Sequence, residues 1–237
     1  MTPAAEILIS LMDEVRSELS LPELLCRDAC RRLPISAAGI ALMNRDGVIE
    51  LVVGSDERAT ELEDLQLTLG EGPCVDSFAT GRLVLHADLS APGSDRWPAY
   101  TPAALQKGVR GLFSYPLRIG GIRLGVLDLY RDQPGLLDDA DLSLALHYAD
   151  AAVMLVLYLQ TGDHDGTGGE PDALAIGRLE VEFEGHPEVH QATGMVSVQA
   201  GVGLTEALLL LRARAFADGR SVAETARGVV DRVIVFY

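Results

Sequence analysis

Cysteine occurs only three times, at positions 26, 30 and 74, too few for a disulfide framework. The N-terminus lacks the basic region and apolar core of a signal peptide, so a cytoplasmic setting is expected. The longest apolar run, residues 151–159, falls well short of the roughly twenty residues a helix needs to cross a bilayer core, and no membrane partner is expected. Lysine occurs once, as Lys107. Any nucleic-acid contact must therefore rest on arginine, which suits stacking and forked phosphate contacts better than a point charge does. Catalytic signatures are missing as well. There is no nucleophile elbow and no paired catalytic carboxylate, and Leu69-Gly70-Glu71-Gly72 is not followed by the Lys-Ser/Thr of a phosphate loop, so an enzyme is not expected. Nor is a metal expected. Cys26 and Cys30 stand at i and i+4 without the further ligands that zinc wants, His147 and His164 have no cysteine or carboxylate companions at metal spacing, and His186 and His190 read as surface positions at a helix start.

What the chain does have is acid. Its 237 residues, 48% apolar and with a net charge of −16, fit one medium and one small domain with real cores. From His186 onward five arginines (212, 214, 220, 227, 232) balance five acids (188, 206, 218, 224, 231), so the whole excess lies in residues 1–185. That acidic part would keep stray RNA off, since affinity for a phosphate backbone comes mainly from Lys and Arg releasing counterions.

Residues 4–19 place Ile7, Leu8, Leu11, Val15 and Leu19 on one side of an amphipathic helix, and Ser20 with Pro22 opens a second that runs towards Leu33. Apolar runs at 38–43 and 48–53 flank Asn44-Arg45-Asp46-Gly47, whose Asp-Gly supplies a hairpin turn. Residues 55–63 read as an acidic, weakly periodic loop. A helix ending at Gly81 comes next, then a short strand at 83–86 and a long loop over 87–98 carrying the one tryptophan, Trp97. A short helix at 100–106 leads to strong strands at 110–117 and 122–130, joined by Ile119-Gly120-Gly121. From Asp138-Asp139, which favours a helix start, Leu142, Leu146, Ala149, Val153 and Val156 run as one stripe to Leu159. The second half of this helix is apolar nearly all round. A sheet covers one side of it only, so the other wants a partner, most simply the same helix of a second subunit. Residues 161–171 hold no apolar residue and read as a linker. Residues 178–184 fit either a short strand or an extended lead-in.

Three short helices close the chain. The first, 188–199, puts Val189, Ala192 and Val196 on one stripe. The second starts at Thr205 and faces inward with Leu204, Leu208, Leu211 and Ala215, flanked by Arg212 and Arg214. The third opens with the capping box Ser221-Val222-Ala223-Glu224 and buries Val222, Ala226, Val229 and Val233. Arg227, at i+3 from Glu224 and i−4 from Asp231, reads as part of a solvated ion-pair ladder.

Leu69-Gly70-Glu71-Gly72-Pro73-Cys74, Arg96-Trp97-Pro98, Phe113-Ser114-Tyr115-Pro116-Leu117 and Gly125-Val126-Leu127-Asp128-Leu129 together resemble a GAF domain. The resemblance implies an α+β sensor with a central antiparallel sheet, helices packed behind it, and a ligand pocket between the other sheet face and its loops. Members bind cyclic nucleotides, haem, bilins or small metabolites, or nothing known. On this chain the implied pocket residues are Cys74, His86, Trp97, Tyr115 and Asp128, in a cavity covered by the 87–98 loop. Cys74 stands at a helix start, where the dipole favours a thiolate, and simple burial is the competing reading. Asp128, a charge amid Leu124 and Val126, must find a partner or meet solvent, and a structural salt bridge is its competing reading.

His190-Gln191-Ala192-Thr193-Gly194-Met195-Val196, Glu206-Ala207, Leu211-Arg212 with Ala215, and Arg220-Ser221-Val222-Ala223-Glu224 resemble the ANTAR domain. That resemblance implies a bacterial antiterminator module whose three helices bind hairpin loops in leader transcripts, usually as a dimer on two hairpins. The chain departs from the pattern at Thr193, where lysine is commoner, and at Val196-Ser197, where a bulky apolar pair is commoner. The contacts expected here are Gln191, Thr193, Arg212, Arg214 and Arg220.

The expectation is thus a GAF-like sensor and dimerisation domain over residues 1–160, a linker over 161–185 and an ANTAR-like three-helix domain over 186–237. Its expected partners are hairpin RNA, a second copy of itself and a small molecule whose identity stays open. The competing expectation is a sensor whose three-helix tail binds a protein, or the sensor itself, and no RNA.

Overall fold

A computed structural model describes residues 2–14, 19–43, 49–91, 96–162 and 186–237. The 44–47 turn, the 163–185 part of the linker and the 178–184 alternation lie outside the described residues.

Helices α1 (Pro3–Glu14) and α2 (Leu21–Arg32) open the chain, followed by strands β1 (Ala37–Met43) and β2 (Ile49–Gly54). The start of α2 is sharp because Ser20 and Glu23 form a reciprocal capping box and Pro22 sits in the first turn. Next come α3 (Glu57–Leu69), α4 (Pro73–Thr80), β3 (Val84–His86), α5 (Tyr100–Gln106), β4 (Gly111–Ile119), β5 (Ile122–Arg131) and α6 (Asp139–Gly162). The strands form one antiparallel sheet in the order β2-β1-β5-β4-β3.

The expected 55–63 loop is instead the first half of helix α3. Asp56 caps it, its carboxylate accepting from the Ala59 N–H at 2.8 Å. The buried positions of α3 are Ala59, Leu62, Glu63, Gln66, Leu67 and Thr68. Three of these are polar, so hydrophobic spacing alone does not reveal the helix.

The two faces of the sheet differ in chemistry. One presents Ala38, Ile40, Phe113, Tyr115, Leu117, Leu127 and Leu129 to an apolar layer made by α1, α2 and α6. The other presents Ala37, Gly39, Ala41 and Met43 from β1 and Val126, Asp128 and Tyr130 from β5, under α3 and α4. Because side chains alternate along a strand, each pair such as Ser114 and Tyr115 splits between the two faces.

Helix α6 has 24 residues, and within it 139–159 is the one described helix long and apolar enough to cross a membrane. It buries Ala145, Tyr148, Ala149, Ala151, Ala152 and Leu155 against the sensor core, and leaves Leu146, Met154, Leu157 and Tyr158 exposed on the far side.

The tail folds as α7 (Pro187–Ala200), α8 (Leu204–Asp218) and α9 (Val222–Val230). The α9 capping box is present as expected. Two details differ. Helix α8 is capped at Gly203 rather than Thr205, which leaves Leu204 exposed beyond the inward stripe. Helix α9 ends before Val233, which is 80% exposed, and the chain turns to bury Ile234 in its place. The tail core is not closed on itself. Val189, Ala192, Val196, Leu211, Val222 and Val229 join one continuous cluster with Ala41, Met43, Leu67, Cys74, Phe78 and Val126 of the sensor.

Candidate functional site

At the centre of the sheet, three neighbouring strands place Gly39, Asp128 and Ser114 in one row. The lack of a side chain at Gly39 matters: a Cβ there would stand 2.5 Å from the Glu63 carboxylate. The gap lets α3 lower Glu63 and Gln66 onto the sheet, where both are fully buried.

Gln66 ties the polar groups together. Its Nε2 donates to Asp128 Oδ2 at 3.0 Å and to Glu63 Oε2 at 3.2 Å, and its Oε1 accepts from the Cys74 backbone N–H at 2.8 Å. The Tyr130 hydroxyl donates to Glu63 Oε1 at 2.7 Å. The Leu69-Gly70-Glu71-Gly72-Pro73-Cys74 stretch makes this possible. Gly70 ends α3 in the left-handed conformation, Pro73 occupies the first turn of α4, and Glu71 Oε1 reaches across to accept from the Ala99 and Tyr100 N–H groups. Cys74 thus arrives beside the two acids, and donor atoms of Glu63, Cys74 and Asp128 lie within 4.8 Å of one another.

Burial governs the protonation of this cluster. It raises the Asp128 carboxyl to about 6, against the opposing pull of the neighbouring Ser114 hydroxyl and Gln66 amide. Glu63 goes well above the carboxylate range through burial and then the adjacent Asp128. The Cys74 thiol is pushed up by burial, then by Asp128 and Glu63, the reverse of the helix-dipole expectation. Among the described residues no arginine, lysine or histidine bears on either carboxylate, so Asp128 is not in a salt bridge. Polar atoms are left over: Asp128 Oδ1, the Tyr100 hydroxyl and Ser114 Oγ, which stands beside Asp128 without a well-formed hydrogen bond.

The residues expected to line one pocket separate into three places. Cys74 and Asp128 meet in the polar cluster. His86 and Trp97 sit one aromatic step away, with ring centroids 5.7 Å apart, and Trp97 contacts Tyr100 edge-on at 6.4 Å. The indole N–H donates to Asp76 Oδ2 at 3.0 Å, and Arg96 pairs with the same oxygen. Tyr115 stands on the opposite face among the α1, α2 and α6 residues. A groove of about 390 Å³ opens between the starts of α2 and α3 and β2, and its lining includes none of the expected site residues. Sequence reasoning misses Glu63, Gln66, Tyr100, Ser114 and Tyr130. The signal that could find them is polar side chains at core positions of an amphipathic pattern.

The tail residues are equally divided. Gln191 and Arg220 are open to solvent, Thr193 donates back to the Val189 carbonyl at 2.6 Å, and Arg214 pairs with Asp218 at 2.7 Å. Arg227 pairs across helices with Glu188 at 3.3 Å rather than along its own helix. Arg212 is tucked against the sensor at Gly70, where a Cβ would meet its Nη1 at 2.9 Å, and its Nε is buried without a partner. Burial lowers its pKa. The Val222 N–H donates to Thr68 Oγ1 at 3.0 Å, and His186 lies 3.5 Å from Asp64. Phe216, not singled out from the sequence, is 64% exposed, one turn along α8 from Arg212.

The family model of the GAF domain matches residues 16–156, leaving the tail outside. No curated protein matches the chain. Solved structures similar to it include the GAF domain of an Acinetobacter phosphoenolpyruvate-protein phosphotransferase, at 13% identity and TM-score 0.49 over 70% of this chain and 99% of that one. A LuxR family transcription factor from Burkholderia cenocepacia is similar at 22% identity and TM-score 0.47 over 65% and 98%. A free methionine-R-sulfoxide reductase from Thermoplasma acidophilum is similar at 17% identity and TM-score 0.42 over 65% and 95%.

Proposed function

The chain belongs to the GAF domain family, and on that premise we propose that it is a cytoplasmic, homodimeric, non-enzymatic signal-responsive regulator. Its sensor holds a three-helix, ANTAR-like tail against its own sheet and controls that tail's binding to hairpin RNA in transcription antitermination. The observation that carries this reading is the shared core of sensor and tail, with Arg212 lodged against Gly70. A tail that is to be controlled must have an off state, and burying one of its few basic groups beneath the sensor supplies one. Release would free Arg212 beside Phe216, one turn along the same face of α8, with Arg220 at the turn that follows. Guanidinium planes and an aromatic ring on one surface suit the unstacked bases of an RNA loop.

A second reading, in which the tail contacts protein instead, draws on Leu204, Leu209 and Phe216, exposed by 63, 58 and 64%. The experiment that tests the first reading is selection of the full chain against hairpins with a randomised loop, followed by Arg220→Ala and Phe216→Ala. Expected is a salt-sensitive affinity that falls in both variants, the phenylalanine change costing about 1–3 kcal/mol if it stacks a base. No salt-sensitive hairpin binding, or affinity indifferent to both changes, would hand the tail to the protein-contact reading.

A further inference from the structure

We propose that Glu63, Cys74 and Asp128 form a binding site for one divalent transition-metal ion of the zinc class, buried in the sensor beneath the docked tail. This names a ligand class for the sensor of the reading above, and the binding it asserts holds whether or not the tail takes RNA.

Three observations carry it. First, a thiol and two carboxylates put donor atoms within 4.8 Å of one another, the donor mix that borderline cations such as Zn²⁺, Fe²⁺ or Co²⁺ accept. Second, the surroundings are those of a supported ligand set. Gln66 fixes both carboxylates by one amide nitrogen, and Tyr130 holds the far oxygen of Glu63, as outer-shell partners orient metal ligands. Asp128 spends Oδ2 on Gln66 and leaves Oδ1 without a partner in a fully buried place. The buried hydroxyls of Ser114, beside Asp128, and Tyr100, beside Tyr130, make no well-formed hydrogen bond either. Third, the cluster holds acids with no cation among the described residues.

The size of the site favours an ion over an organic effector. Cys74, Tyr100, Ser114 and Asp128 are each at most 1% exposed, whereas a drug-sized ligand needs a cleft of about 300–1,000 Å³. Metal ligands bind deprotonated, so a cation entering the site displaces the thiol proton. Cys74 belongs to the cluster that joins the sheet to the tail, which puts the ion in position to bear on docking.

The test is titration of the full chain, stripped with a chelator, by Co²⁺ as an optical probe. Expected is uptake saturating at one equivalent, with a thiolate-to-cobalt absorption band that Cys74→Ser abolishes and a Cys26→Ser/Cys30→Ser double change leaves in place. Asp128→Asn should lower affinity by at least tenfold, since losing even an outer-shell partner costs about 10–100-fold. If that variant fails to fold by circular dichroism, Glu63→Gln carries the same comparison. A chain that takes up no Co²⁺, a band that survives Cys74→Ser, or affinity unchanged by the carboxylate variant would overturn the site and leave a proton shared between two buried acids.

Discussion

Replacing Thr68 by valine removes one hydroxyl from the seam between sensor and tail. In the native chain that oxygen accepts the Val222 N–H at 3.0 Å, and both residues are buried. Val222 opens α9, so its N–H has no partner within its own helix. Valine keeps the shape of threonine but leaves this donor facing a methyl group. A buried donor without a partner costs about 1–3 kcal/mol. With a factor of ten per 1.4 kcal/mol, docking should weaken by roughly 5- to 150-fold. Amide hydrogen exchange followed by mass spectrometry reads this directly. Peptides covering α9 should exchange faster by a factor in that range, while those covering β4 and β5 should not change. If hairpin RNA binds the freed tail, its apparent affinity should rise with the free population. Unaltered exchange in α9 would refute the reasoning, because it would mean that the Thr68 contact does not hold the tail to the sensor.

Gly39→Ala should destabilise the sensor by about 1–3 kcal/mol, the usual cost of overpacking a well-packed core, because the new Cβ meets the Glu63 carboxylate at 2.5 Å. Urea titration checks it as a lowered midpoint with unchanged slope. His186 faces Asp64 from α3 and Glu188 from α7, the latter shared with Arg227, and its pKa is raised by Asp64 first. The docked tail therefore favours the imidazolium. Its contribution is fully present below the free-histidine pKa of about 6.5 and is lost as pH rises through the raised value. Exchange in α7 should thus quicken as pH rises across that window, after correction for the intrinsic rate, and His186→Gln should remove the dependence. Met154→Asp with Leu157→Asp, on the open side of α6, should turn a dimer into a monomer by light scattering without lowering helicity. A parent chain that is already monomeric at micromolar concentration would end the dimer reading.

Local chemistry makes most of the elements legible. The Ser20 and Ser221 capping boxes, the glycine that ends α4, the paired strands β4 and β5, the stripe of α7 and the Val222, Ala226 and Val229 positions of α9 are all written in short-range spacing, since caps and amphipathic faces are decided within a turn or two. The family resemblance of the front half is legible for the same reason, because Leu69-Gly70-Glu71-Gly72-Pro73-Cys74 encodes one helix end and the next helix start. Helix α3 is not legible. Its inward positions carry Glu63, Gln66 and Thr68, and acids in a row look like a solvated loop until a sheet is seen to offer Gly39 and Asp128 opposite them. Tyr115 reads as the pocket residue in place of Ser114 because nothing local says which of two alternating neighbours faces which layer, and a one-residue step reverses the answer. The seat of Arg212 is beyond the reach of sequence as well. Whether a basic residue at the rim of an apolar stripe points to solvent or lies against another part of the chain depends on contacts far apart in sequence, and Gly70 meets Arg212 only once the tail has come back over the sheet.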